Sequence, residues 1–328
     1  MSSTAIYRPV EKHEHQQAID LWYKVFGAPA GFFERYFNTE ASPRYQHGDT
    51  LGVWINEKLV SAIHIRRLYI RSRDDNIEYL CGAISNVATL EEYRKNGYSR
   101  SLLRMAIKNM EENQFDISVL GTGRPNHYAV LGWEQICLPS SINIEWSHFS
   151  SSGDSSQWRS SDEIFSTNNN NSQLLVDIHS SKPRTYQFNR SPASMFQTWT
   201  GWNWRRDNAI IYLLSEPQQG YVVITKPDDP EEIYVSEWRA ANSDVERKLL
   251  KLAANEVRRR QPQIKTVRFH TVPQYFSLEE LDQWAGTVTV CKNDHTMIRN
   301  IRLSNEVLEN IKAAYLSGHA TFWQGDYF

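Results

Sequence analysis

Cysteine is scarce: the 328 residues contain three, Cys81, Cys137 and Cys291, far apart and with no C-x-x-C spacing. That count excludes a disulfide framework and a thiolate zinc site, and it fits a reducing, cytoplasmic setting. No metal is expected elsewhere, since His13-x-His15 reads as a solvated helix start. Long apolar runs are also missing. No stretch reaches the ~18 to 20 apolar residues that span a bilayer, and Met1 to Lys12 carries no apolar leader segment, so a soluble, untargeted protein without a membrane span is expected. Nor is there an excess of one charge: 36 Lys plus Arg against 38 Asp plus Glu leave a net −2, too weak a field to hold nucleic acid or an acidic membrane surface. What the chain does have is apolar material, 40% hydrophobic and 12% aromatic, enough to bury real cores. Its length predicts two domains of roughly 150 residues each.

A Ser/Asn-rich stretch divides the chain near its middle. Ser147 to Ser172 holds ten serines and the run Asn168 to Asn171, too little apolar surface to offset its ordering entropy. The predicted organisation is therefore 1–150 as a first domain, 151–173 as linker or surface loop, 174–303 as a second domain, and 304–328 as a helix and tail. In the first domain, periodicity predicts a strand at Ala5 to Val10, a helix from His13 to Phe26, a second helix from Phe32 to Phe37, and an antiparallel meander of Thr50–Ile55, Leu59–Ile70 and Ile77–Thr89. A helix after Gly97, a strand at Asp116–Leu120, a short helix at Asn126–Val130 and a strand or hairpin from Gln135 to Trp146 follow. A similar order recurs over 209–303, with a long helix at Ser243–Arg260 and a strand pair, Val288–Cys291 and Thr296–Leu303, which suggests a structural repeat.

The chemistry concentrates in Gly82 to Leu103: an apolar strand, the turn Arg94-Lys95-Asn96-Gly97-Tyr98-Ser99, then an amphipathic helix. A glycine at a strand-to-helix turn lets backbone approach a ligand, and the free amides of the helix start form a phosphate cradle reinforced by the helix dipole. A pyrophosphate site is predicted there. A second motif follows at Gly121 to Trp133, where Tyr128 stands four residues before Gly132.

The first motif resembles the acyl-CoA-binding signature R/Q-x-x-G-x-G/A of the GNAT superfamily, with Arg94, Gly97 and Ser99 at its key positions. Val87-Ala88-Thr89 and Glu92-Tyr93-Arg94 are more similar still to the enhanced intracellular survival type, which carries two GNAT domains in tandem. The likeness covers residues 5 to about 146 well and 209 to 303 weakly. It implies an α/β (α+β) fold of two tandem GNAT-like domains, each a mixed, mostly antiparallel sheet flanked by helices. It also implies that Val87, Ala88, Thr89 and Arg94 to Ser99 bind acetyl-CoA or a longer acyl-CoA, and that the Val87 amide polarises the thioester carbonyl. By the same likeness Tyr128 protonates the leaving thiolate, with His127 as its competitor. The base is open between the terminal carboxylate of Phe328 and the side chains Glu91, Glu92 and Asp326. The relatives with a terminal carboxylate have a third domain, and only about 25 residues follow Leu303 here, so that domain is expected to be missing.

The second half has no donor motif. Arg239-Ala240-Ala241-Asn242-Ser243-Asp244 offers no glycine at its turn, so one active site per chain is expected, with the second unit walling the acceptor pocket. Trp22, Phe26, Phe33 and Glu91 are the candidate substrate contacts, whereas Arg66, Arg67, Arg71 and Arg73 are expected on an exposed strand face. The expected activity is N-acyl transfer to a primary amine of a bulky acceptor, an aminoglycoside-like compound or a peptide Lys or Orn side chain, by direct attack. Lipidation in peptide maturation, or a non-catalytic acyl-CoA sensor or peptide scaffold, are the alternatives. The oligomeric state is left open.

Overall fold

The computed structural model describes residues 4–73, 76–146, 157–166, 171–181, 183–214 and 219–326. In the first half the elements run β1 (Ile6–Pro9), α1 (His15–Phe26), β2 (Thr50–Ile55), β3 (Lys58–Arg71), β4 (Glu78–Thr89), α2 (Tyr98–Glu112), β5 (Ile117–Gly121), α3 (Pro125–Ala129) and β6 (Glu134–Ile144). Helix α1 forms because Ala18, Ile19, Leu21 and Trp22 recur on one side. It stops at Gly27, whose left-handed φ of 64° lets its N–H reach the Tyr23 carbonyl.

The second half begins with β7 (Trp158–Ser160), α4 (Ser161–Ile164), α5 (Asn171–Ser181) and β8 (Gln187–Phe188). Helix α6 (Ala193–Met195) then runs through a π turn into α7 (Gly201–Arg206), followed by β9 (Ile210–Leu214), β10 (Gly220–Thr225), β11 (Tyr234–Ala240) and α8 (Ser243–Arg260). Last come β12 (Val267–Phe269), α9 (Leu278–Ala285), β13 (Val288–Asn300) and α10 (Asn305–Leu316).

One mixed, mostly antiparallel sheet runs through the described residues in the order β1-β2-β3-β4-β5-β13-β6-β12-β11-β10-β9-β7, with β8 pairing β3. Its parallel pairs are β4 with β5 and β11 with β12, one in each half, as a tandem repeat requires. The centre departs from two separate domains. Strand β5 pairs with β13 of the second half, β12 pairs with β6 of the first, and β6 and β13 pair with each other. Each half completes its sheet with the other's last strand.

Three expectations need correction. The helix expected over Phe32 to Phe37 is a single 3-10 turn, Glu34–Tyr36, because its aromatic rings pack in several directions rather than along one helical stripe. The strand pair Val288–Cys291 and Thr296–Leu303 is one strand, β13, with register shifts after Cys291 and Asn293 that absorb the polar middle. The stretch 151–173, expected as linker, holds β7 on the sheet edge and α4, with Ile164 and Phe165 buried beneath it. The sparse apolar residues there, Trp158, Ile164 and Phe165, are enough to anchor it.

Helix α2 covers one face of β2 to β4, and α1 covers the opposite face. Ile63, Ile65 and Ile84 pack with Leu102, Leu103 and Ala106 on the α2 side. Ala62 and Ala88 pack with Ala18 and Trp22 on the α1 side. Alternation along the strands therefore fixes which side chains of β3 and β4 face each helix.

A candidate active site where two strands part

Strands β4 and β5 pair only from Cys81 opposite Ile117 to Ala83 opposite Val119. Beyond Ala83 they separate, leaving the second half of β4 unpaired on that side. Across its other edge β4 pairs with β3, and between Ala62 opposite Ala88 and His64 opposite Ser85 two residues, Asn86 and Val87, stand against Ile63 alone. That is a β-bulge, and Asn86 takes its φ of 53°. The predicted carbonyl-binding residue, Val87, thus lies in the bulge at the mouth of the gap. The Asn86 Nδ2 beside it is buried and has no hydrogen-bond partner among the described residues.

The predicted phosphate loop follows directly. After a 3-10 turn at Glu91–Tyr93, Arg94 is extended, Lys95 has φ 68° and Gly97 has φ 78°. The Arg94 Nε donates to the Thr89 carbonyl at 3.2 Å, and the Asn96 Nδ2 donates to the Tyr93 carbonyl at 3.0 Å, so the loop holds its own shape. No side chain caps the start of α2, and no acidic residue lies in its first turn. Its first amides are therefore open to an anion. A Cβ placed on Gly97 would meet nothing within 4 Å, so there is room above the turn.

The corresponding turn of the second half is closed. Asn242 caps α8 by accepting from the Val245 N–H at 3.0 Å, and Asp244 and Glu246 fill the first turn with negative charge. An anion would meet a satisfied and repulsive helix start there.

Tyr128 stands on α3, which opens with Pro125 at its first turn. Its half-buried ring lies edge-on to Trp133 at 6.2 Å, and it packs on the same cluster as Val87 and Tyr98. Burial raises the phenol above the ordinary tyrosine range, against the opposing effects of Thr122 and Arg124. It is a neutral hydroxyl at neutral pH. Its neighbour His127 reaches the Ser99 Oγ at 3.4 Å, tying α3 to the donor loop, while burial lowers its pKa, with Arg100 and Arg124 adding to the effect.

The turn after Tyr128 depends on a residue no motif marks. Gly132 has φ 88°, and Arg299 of β13 fills the space its side chain would need. The Arg299 Nη1 donates to the Leu131 carbonyl, and its guanidinium lies 5.5 Å from the Trp133 ring centre. Pairing of β13 with β5 brings it there, and a lone arginine in a strand gives no sequence signal for that role.

The expected acceptor residues divide. Phe26 is 49% exposed and Glu91 is on the surface, but Trp22 and Phe33 are buried core. Trp22 lies parallel to Phe37 at 5.8 Å and 5.7 Å from Phe33, so both rings belong to the core on the α1 side. Arg66 and Arg67, expected on an exposed face, are buried as well, because β3 is an inner strand covered on both sides. Arg67 pairs with Asp49 at 2.8 Å.

Of the candidate bases, Asp326 is buried in an ion pair with Arg190 at 2.7 Å and also accepts from the Trp323 N–H. Glu92 pairs on the surface with Lys58 at 3.2 Å. Phe328 lies outside the described residues. Among the described residues no group of three metal-ligating side chains occurs, and no helix is long and apolar enough to cross a membrane.

Comparison with known proteins agrees with this geometry. Residues 6–136 match the family profile of an acetyltransferase (GNAT) domain. No curated protein sequence matches the chain. Among solved structures, a conserved protein from Enterococcus faecalis described as a probable N-acyltransferase aligns with a TM-score of 0.69 and 17% identity, covering 91% of this chain and 73% of that one. Eis1 from Mycobacterium abscessus aligns with a TM-score of 0.66 and 16% identity, over 91% and 74%. A GCN5-related N-acetyltransferase from Anabaena variabilis gives 0.65 and 16%, over 91% and 73%. Residues 6–136 thus match a GNAT acetyltransferase domain, and the chain as a whole shares its fold with these solved structures, Eis1 among them.

Proposed function

We propose that the protein moves an acyl group from acyl-CoA to a primary amine, using one site per chain. The amides from Asn96 to Arg100 hold the pyrophosphate, with Arg94 and Lys95 beside it. The thioester enters the gap between β4 and β5, where the Val87 N–H donates to the carbonyl oxygen. The free amine attacks from the α1 face, the carbon–sulfur bond breaks as Tyr128 gives its proton to the departing sulfur, and the proton lost by the nitrogen returns to Tyr128 through solvent. No covalent acyl-enzyme is formed.

The observation that carries this reading is the coincidence of three features around one gap: the bulge at Asn86 and Val87, the uncapped start of α2, and the neutral phenol of Tyr128. The capped and acidic start of α8 supports a single donor site. Acetyl-CoA is the donor this reading favours, in line with the acetyltransferase domain matched over residues 6–136. The acceptor amine belongs to a larger molecule, an aminoglycoside-like compound or a peptide Lys or Orn side chain.

The test is thiol release from acetyl-, octanoyl- and palmitoyl-CoA against a panel of amines. Acetyl transfer is expected to be fastest. Donor binding without transfer to any amine would favour a sensor, and absence of CoA binding would refute the assignment.

A further inference from the structure

Charge is unevenly spread along the chain. Over the whole sequence acids and bases nearly cancel, yet the stretches 93–110 and 117–133, which carry the donor loop, most of α2 and all of α3, hold six Lys or Arg and no Asp or Glu. A chain with a net −2 thus gathers a local positive field at one place. Arg94 and Lys95 belong to the loop itself, and Arg104 and Lys108 lie further along α2. Arg100 and Arg124 stand at the two helix starts: Arg100 in the first turn of α2, Arg124 immediately before Pro125, which opens α3.

The fold brings those two starts together. The His127 ring reaches the Ser99 Oγ at 3.4 Å, next to Arg100, and the His127 N–H donates to the Arg124 carbonyl at 3.1 Å. His127 adds no charge there, since burial lowers its pKa and the two arginines lower it further. Arg100 and Arg124 are both exposed, and among the described residues neither side chain makes a hydrogen bond or an ion pair. Other bases on the surface of this half do find acids: Lys58 pairs with Glu92 at 3.2 Å, and Lys108 with Glu112 at 3.6 Å. The open amides of α2, with Arg94 and Lys95, are enough for a pyrophosphate, so two guanidinium forks are left over beside it. A phosphate monoester is close to a dianion at neutral pH and accepts paired bonds from such forks.

Resting on the acyl-transfer reading, we propose that Arg100 and Arg124 bind the 3′-phosphate of the donor's nucleotide. The donor class is then a thioester of 3′-phosphorylated coenzyme A. The same pantetheine arm carried on a protein brings a single phosphodiester, and one ending in an unphosphorylated nucleotide brings only the pyrophosphate; either would leave both arginines without an anion.

The test is calorimetry with CoA and with 3′-dephospho-CoA at physiological ionic strength, where long-range attraction is screened. CoA is expected to bind tenfold or more tightly, and Arg100→Gln and Arg124→Gln each to bring that ratio toward one. Lys108→Gln, about two turns along α2 from Arg100, is expected to leave it unchanged. All three side chains are exposed, so the variants keep the fold. Equal affinity for the two nucleotides overturns the 3′-phosphate site. So does a preference that survives both arginine variants, or one that falls as far in Lys108→Gln, which would mark a general field with no site in it. CoA binding without the preference overturns this site alone, whereas no CoA binding at all overturns acyl transfer itself.

Discussion

Arg299 of the second half occupies the place where Gly132 of the first would carry a side chain, and from there it bonds the Leu131 carbonyl. The turn that follows Tyr128 is therefore shaped from across the sheet. Loosening it should misplace the phenol without touching the donor site. For Arg299→Met we expect kcat to fall by about tenfold with donor KM nearly unchanged. Steady-state kinetics checks this, and Arg299→Lys should recover part of the loss. Equal falls in kcat and donor affinity would show that the residue does not act on the turn.

Tyr128→Phe removes the proton donor but keeps the ring against Trp133. The expected loss in turnover is about 10² to 10⁴ with donor affinity retained. The phenol's pKa is raised by burial, so the protonated, active form is present through neutral pH and is lost only as pH rises past the ordinary tyrosine range, above about 10. A rate that declines on the alkaline side well below that range would assign the limb to another group.

Gly97 has a left-handed backbone with open space above it. Gly97→Val should cost about 1–2 kcal/mol in local strain and place a branched side chain where the phosphates lie. Calorimetry with CoA should show weakening by tenfold or more, while the far-UV circular dichroism spectrum stays that of the wild type. Unchanged affinity would move the donor site elsewhere.

His64 and His179 are both buried and held neutral. Burial lowers His64 to about 3, with Arg66 adding to the effect, and it lowers His179 well below the ordinary value. The unfolded chain takes up these two protons below about pH 6.5 and the folded chain does not. Stability is therefore full above that pH and is lost as pH falls from 6.5 toward 3, the part above about pH 5 preceding carboxylate titration. Unfolding free energies from urea titrations across this window should fall with a slope of at least two protons, since His270, lowered to about 4, adds to the pair. His64→Gln should shorten that slope by one.

The legible parts of this molecule were those written in local pattern. Thr50–Ile55 and Ser243–Arg260 have their expected limits, because alternation and helical periodicity set them residue by residue. The turn at Gly97 and the short helix carrying Tyr128 were legible because a glycine turn and a spaced Tyr and Gly carry their own geometry. Arg299 and Arg66 were not. Their roles come from partners far along the chain, Leu131 for one and Trp199 and Asp326 for the other, and a charged residue in a strand reads as exposed until its neighbouring strands are known. The same holds for Trp22 and Phe33, whose rings could as well have lined a channel as filled a core.

The exchanged central strands set an order on biosynthesis. Ile117 finds its partner at Asn300, so as the nascent chain leaves the ribosome the first half waits with an open strand edge until β13 has emerged. Cutting the gene at the Ser/Asn-rich stretch would strand both fragments in that condition. Coexpressed, each would be expected to recover only by finding the other.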